Sequence, residues 1–118
     1  MNDATLTEIR SKGNPMRILT CCDHGNNRSV HFAHLLKYKY NADVIPVGLQ
    51  LTSEPTLLML FDWADHIILV ERKMLEQIPL DYIRKTQVWE VGEDRFERPF
   101  NKELYELCKK IIEENPLE

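Results

Sequence analysis

The sequence predicts an α/β fold: a three-layer sandwich in which a four-stranded parallel sheet of order 2-1-3-4 carries helices on both faces. Three observations predict it. First, short apolar runs at Arg17–Cys21, Val44–Val47, Ile67–Val70 and Gln87–Val91 are separated by segments with helical apolar spacing. Strands that alternate with helices pair in parallel through right-handed crossovers. Second, Pro46 stands inside the second run. Proline cannot donate to a sheet ladder, so that strand belongs at an edge, which suits the order 2-1-3-4. Third, the first run passes directly into a polar loop and then a helix, at the carboxyl end of a strand where open α/β sheets hold their ligands.

At 118 residues the chain makes one domain with a core of useful size. Hydrophobic content of 43% and charged content of 29% are ordinary for a soluble globular protein. The formal net charge of −4 argues against nucleic acid as a general partner. No apolar run has the length of a membrane span, and the polar stretch Met1–Pro15 does not read as a signal peptide. The odd number of cysteines does not make a disulfide framework, so a reducing, cytoplasmic location is expected.

Lys12-Gly13-Asn14-Pro15 is a breaker cluster. Residues 1–15 are therefore expected as an N-terminal arm and residues 16–118 as the domain proper. Arg17–Cys21 reads as a central strand. Val30–Tyr40 reads as a helix, with Val30, Ala33, Leu36 and Tyr40 on its apolar stripe and His31, His34, Lys37 and Lys39 at wetter positions. After the Pro46 edge strand, Gly48–Thr52 is a loop and Thr52 or Ser53 caps a helix that runs to about Ala64. Its apolar density predicts packing on the sheet. Ile67–Val70 is a buried strand, Glu71–Gln77 a short helix, and Gln87–Val91 the last strand. Gly92–Phe100 is a polar loop. Asn101 caps a final helix whose Leu104, Leu107, Cys108, Ile111 and Ile112 share a face, which makes Cys108 a core residue.

The chemistry concentrates in Cys22-Asp23-His24-Gly25-Asn26-Asn27-Arg28-Ser29. A loop between a strand and a helix start turns its backbone N–H groups inward on an anion, and the helix N-terminus adds positive partial charge. The same field favours a thiolate at Cys22. Arg28 can grip two phosphate oxygens with its planar fork, and Ser29 can hydrogen-bond the sulfur. Gly25 is expected at a positive φ, Asn27 as a brace of the loop's shape, and His24 as a hydrogen-bonding brace or a rim residue. Asp23 is expected to face the rim, where it could select cationic features of a substrate. Pointed at the phosphate, it would repel it. His31, His34 and His66 lack company at metal-ligand spacing, so neither metal nor cofactor is expected. A nucleophile, an anion cradle and a bidentate arginine in one loop imply phosphoryl transfer through a phosphocysteine.

The pattern Cys-x-x-Gly-x-x-Arg-Ser, filled by Cys22, Gly25, Arg28 and Ser29, resembles the signature loop of the cysteine-dependent protein tyrosine phosphatases. Its place near the front of the chain is similar to the low-molecular-weight branch. Trp63-Ala64-Asp65-His66-Ile67 also resembles the third-strand entry of short bacterial and phage members. The likeness spans roughly Met16 to Ile112. Positions that in that branch hold Gly, Asn, a second Cys and Pro here hold His24, Gly25, Asn27 and Val30. The Cys-x-His-Gly-x-Asn-Arg core is closer to dual-specificity RNA 5′-triphosphatases, which carry the loop late in a larger domain. Without the second loop Cys the usual disulfide partner of Cys22 is missing. Cys21 is adjacent and expected to point into the core.

The resemblance implies a general acid after the last strand. In Gly92-Glu93-Asp94-Arg95-Phe96-Glu97-Arg98-Pro99, Asp94 fits best, with Glu93 and Glu97 as rivals and Phe96 in the aromatic role beside the substrate. The expected function is a cysteine-dependent phosphomonoester hydrolase, acting on a phosphorylated protein, with tyrosine phosphate the default, or on a small phosphomonoester. The alternatives are a catalytically weak phosphate or phosphopeptide-binding module and an RNA 5′-phosphatase. Arsenate reduction on the same fold would need a relay of thiols, for which Cys108 is badly placed.

Overall fold

A computed structural model describes residues 15–23, 28–91 and 102–117. Its strands are β1 (Arg17–Cys22), β2 (Asp43–Gly48), β3 (His66–Leu69) and β4 (Thr86–Val88). They form one parallel sheet in the order β2-β1-β3-β4. The helices are α1 (Arg28–Tyr40), α2 (Glu54–Trp63) and α3 (Lys102–Glu114), with two 3₁₀ turns, η1 (Arg72–Gln77) and η2 (Leu80–Lys85), between β3 and β4.

Central β1 is buried from Ile18 through Cys22, and all of Ile67–Leu69 in β3 is buried with it. Continuous rather than alternating burial means that both faces of the sheet are covered. The connection β1–α1–β2 leads one way along the sheet and β2–α2–β3 returns across β1 the other way. With both crossovers right-handed, α1 and α2 lie on opposite faces. The α3 helix packs against α1 and so shares its face. The expected three layers and strand order are those observed. Ile18, Leu19, Ile67, Ile68 and Leu69 have no exposed surface; burial of each such side chain is worth about 1.5–3 kcal/mol. Pro46 sits on the edge strand, paired in register with Thr20.

Several local expectations differ from the structure. The first helix starts at Arg28, not Val30, and its buried face is Arg28, Ser29, His31, Phe32, Ala33 and Leu36. His31, expected at a wet position, is therefore buried: it lies one turn beyond Arg28, on the side that the loop foot turns inward. Ser53 is the N-cap of α2, but its Oγ donates to Thr56 Oγ1 at 3.0 Å, while Thr52 Oγ1 donates to Gly48 O. The α2 helix does pack on the sheet as its apolar density predicts, with Phe61 buried and Leu57, Leu60 and Trp63 half-buried against the core. Leu58 and Met59 stay exposed, and a groove of about 450 Å³ runs between this helix and Gln77–Pro79. The expected short helix after β3 is the 3₁₀ turn η1, while η2 has no counterpart in the sequence reading. Strand β4 stops at Val88. Trp89 N donates to Leu69 O and Val91 N to Val70 O, two residues advancing against one, which ends regular pairing. Trp89 is nonetheless buried, its ring meeting Phe32 edge-on at 5.4 Å.

The amino end of the sheet is clamped by the Trp63-Ala64-Asp65 stretch. Arg17 N donates to Asp65 Oδ2 at 2.9 Å, Asp65 N donates to Arg17 O at 2.7 Å, and the Arg17 guanidinium lies over the Trp63 ring. Lys85 Nζ donates to Ala64 O, closing the end of α2. On α3, Leu104, Cys108 and Ile112 form the buried face, and burial pushes the Cys108 thiol up to about 12. Among the described residues no helix is long and apolar enough to cross a membrane.

Candidate active site

The sheet order reverses about β1, so the crevice lies beyond the carboxyl ends of β1 and β3. Cys22 is the last residue of β1 and is almost wholly buried. Two backbone hydrogen bonds fix the exit of that strand: Leu49 N donates to Cys22 O at 2.8 Å and Gln50 N to Asp23 O at 3.0 Å. The chain beyond β2 thereby anchors the start of the loop.

The other side of the loop is the first turn of α1. Ser29 Oγ lies 3.0 Å from Cys22 Sγ. Thr20 Oγ1 donates to Ser29 O at 2.8 Å, tying that turn back to β1. Arg28 has no exposed surface, although arginine is almost never fully buried unless paired. Its Nη1 donates directly to Glu71 Oε1, and its Nη2 lies 3.6 Å from Asp23 Oδ2. Lys73 Nζ stands 3.4 Å from Glu71 Oε2 and 3.8 Å from Asp23 Oδ2. Two cations and two carboxylates thus form one network around Arg28.

Cys22, Arg28, Ser29 and Asp23 are brought together at one point. Asp23 does not face outward at the rim as expected; its side chain is 14% exposed and turned toward Arg28 and Lys73. A buried guanidinium draws the nearest carboxylate more strongly than water does. His24, Gly25, Asn26 and Asn27 lie outside the described residues, as do Glu93, Asp94, Phe96 and Glu97. Cys21 is fully buried. Burial first, and then the neighbouring Cys22, pushes its thiol well above the usual range. Successive strand side chains point to opposite faces, so Cys21 looks away from Cys22.

Glu71 was missed. Its signal was positional: it is the second residue after β3, at the carboxyl end of the strand beside β1. Any carboxylate there faces the crevice. Arg72 N donates to Glu90 Oε1 at 3.1 Å, which holds the η1 turn that follows Glu71.

No protein-family model matches the chain, and no curated protein matches its sequence. Solved structures do resemble it. Wzb of Vibrio vulnificus, in complex with benzylphosphonate, superposes with a TM-score of 0.57 at 16% identity, over 84% of this chain and 92% of that one. The YwlE arginine phosphatase from Geobacillus stearothermophilus superposes with a TM-score of 0.52 at 19% identity, over 85% of this chain and 92% of that one. The fold is that of the low-molecular-weight protein tyrosine phosphatases, the branch that the loop's place in the chain and the Trp63–Ile67 stretch resemble.

Proposed function

We propose that this chain is a cysteine-dependent phosphomonoester hydrolase that works through a phosphocysteine. The observation that carries the reading is the juxtaposition of Cys22 Sγ with Ser29 Oγ at 3.0 Å, beside a fully buried Arg28 at the head of α1. The fold, which it shares with an arginine phosphatase and with a structure holding a phosphonate, agrees with this reading.

In the proposed reaction the Cys22 thiolate attacks phosphorus in line. Arg28 and the loop amides of Asp23–Asn27 hold the equatorial oxygens, where donors aimed at developing charge are worth most. Ser29 donates to the sulfur and eases its departure when water cleaves the phosphocysteine. Asp94 protonates the leaving oxygen and then takes a proton from that water. Val91 N donates to Val70 O, one residue before Glu71, so the chain passes the carboxyl end of β3 three residues ahead of Asp94. At ~3.3–3.6 Å per residue an acid there can reach the crevice. Phe96 would flank an aromatic leaving group. The substrates are phosphorylated proteins, tyrosine phosphate first, or small phosphomonoesters, met in the cytoplasm by residues 16–118 as the working domain.

The test is hydrolysis of p-nitrophenyl phosphate by the wild type, by Cys22→Ser and by Asp94→Asn, with and without vanadate. Activity that is lost in Cys22→Ser and blocked by vanadate supports the reading. Turnover that survives the serine change removes the nucleophile. Slow turnover unchanged in Asp94→Asn points instead to a phosphate-binding module, a reading favoured by the carboxylate of Asp23 beside Arg28.

A further inference from the structure

An anion cradle seldom places carboxylates beside its arginine. Among the described residues, Arg28 and Lys73 are met by two, Asp23 and Glu71. The two acids are not equivalent. Glu71 is hydrogen-bonded directly to Arg28 Nη1 and its side chain is 9% exposed. Asp23 Oδ2 stands 3.6 Å from Nη2, beyond the ~2.7–3.2 Å of an N–H···O hydrogen bond. Its contact with Arg28 is Coulombic and loose. Its backbone is held by Gln50 N, so the side chain can turn without disturbing the loop. Lys73 Nζ, on a side chain 63% exposed, already lies 3.8 Å from the same Oδ2.

A phosphoryl oxygen and a carboxylate oxygen ask for the same donor on a guanidinium fork. Glu71 bonds Nη1, and Asp23 faces Nη2. We propose that Asp23 is an internal counter-anion of Arg28 which competes through its charge with a phosphoryl group for the guanidinium, and that Lys73 takes up the Asp23 carboxylate when the anion binds. Asp23 then sets the strength of anion binding: it weakens the hold on every anion, product phosphate included. Glu71 keeps the guanidinium in place throughout. The inference rests on the reading of Arg28 as the phosphate grip.

The test uses inorganic sulfate, a tetrahedral dianion at every working pH, titrated into the full-length protein by calorimetry. Asp23→Asn, which keeps the size of the side chain and removes its charge, should bind sulfate at least tenfold more tightly than the wild type. Asp23→Ala should shift affinity in the same direction, and Lys73→Gln should weaken binding. A residue that merely held the loop in shape would change affinity the other way when replaced. Thermal melts of each variant confirm that the domain is folded. Equal or weaker sulfate binding by both Asp23 variants overturns the inference and leaves the phosphatase reading intact. Failure of the wild type and of every variant to bind sulfate overturns both.

Discussion

Replacing Glu71 by Gln probes the support under Arg28. The change keeps volume and one hydrogen-bond acceptor but removes the charge that pairs with a guanidinium of zero exposure. Two unit charges ~4 Å apart at an effective dielectric of about 20 attract by about 4 kcal/mol, part of which Asp23 retains. Removing one partner of a buried pair costs about 3–5 kcal/mol when nothing replaces it. The glutamine oxygen replaces part, so a loss of about 2–3 kcal/mol of stability is expected, on the order of 10 °C in melting temperature for a chain of this size. Activity should fall further than stability requires. On the proposed mechanism the guanidinium would drift from the phosphoryl oxygens, and kcat/KM should drop by about 10²-fold, the scale seen when one preorganised donor is lost. Differential scanning calorimetry and steady-state kinetics on p-nitrophenyl phosphate, both below the variant's melting point, check the two effects. A variant with wild-type melting and wild-type kcat/KM would refute the claim that Glu71 holds Arg28.

Three further outcomes are expected. Ser29→Ala removes the hydroxyl 3.0 Å from Cys22 Sγ; kcat should fall by about tenfold or more with little change in the rate of the initial burst, because the sulfur loses its donor as a leaving group. Asp65→Ala deletes the carboxylate that receives the Arg17 amide, and about 1 kcal/mol of stability should go with it. Its kcat should not change, since β1 separates it from Cys22 by about 16 Å at ~3.3 Å per residue. In native protein at neutral pH, iodoacetamide should label Cys22 and spare Cys21 and Cys108, whose thiols burial holds protonated. Mass spectrometry of tryptic peptides reads this out, and all three should be labelled in denaturant.

How much of this was legible in the chain follows from the range of each interaction. Pro46 could be assigned to an edge because proline lacks a backbone donor wherever it stands, and an edge position for the second strand suits the observed order. The Cys22–Ser29 stretch could be singled out as a candidate because its residues are eight consecutive positions. Leu104, Cys108 and Ile112 could be placed on one buried face because helical period is a local property. The apolar density of α2 foretold that the helix packs on the sheet, which it does. Composition does not say which of its residues are covered; only the neighbouring elements decide that Leu58 and Met59 stay exposed. The Trp63-Ala64-Asp65 stretch was read as a mark of kinship, and its contacts show what it does physically: it pins the amino end of β1.

By itself, then, the sequence determined the layers and the strand order and singled out Cys22 and Arg28 as candidates, because each depends on backbone chemistry or on neighbours along the chain. Only the tertiary structure decided which carboxylates meet Arg28. Glu71 is 43 positions away from it, and its approach depends on two parallel strands ending side by side. Asp23 turned inward because a buried cation in a low-dielectric pocket attracts the nearest negative charge, a force that acts only once folding has taken the water away.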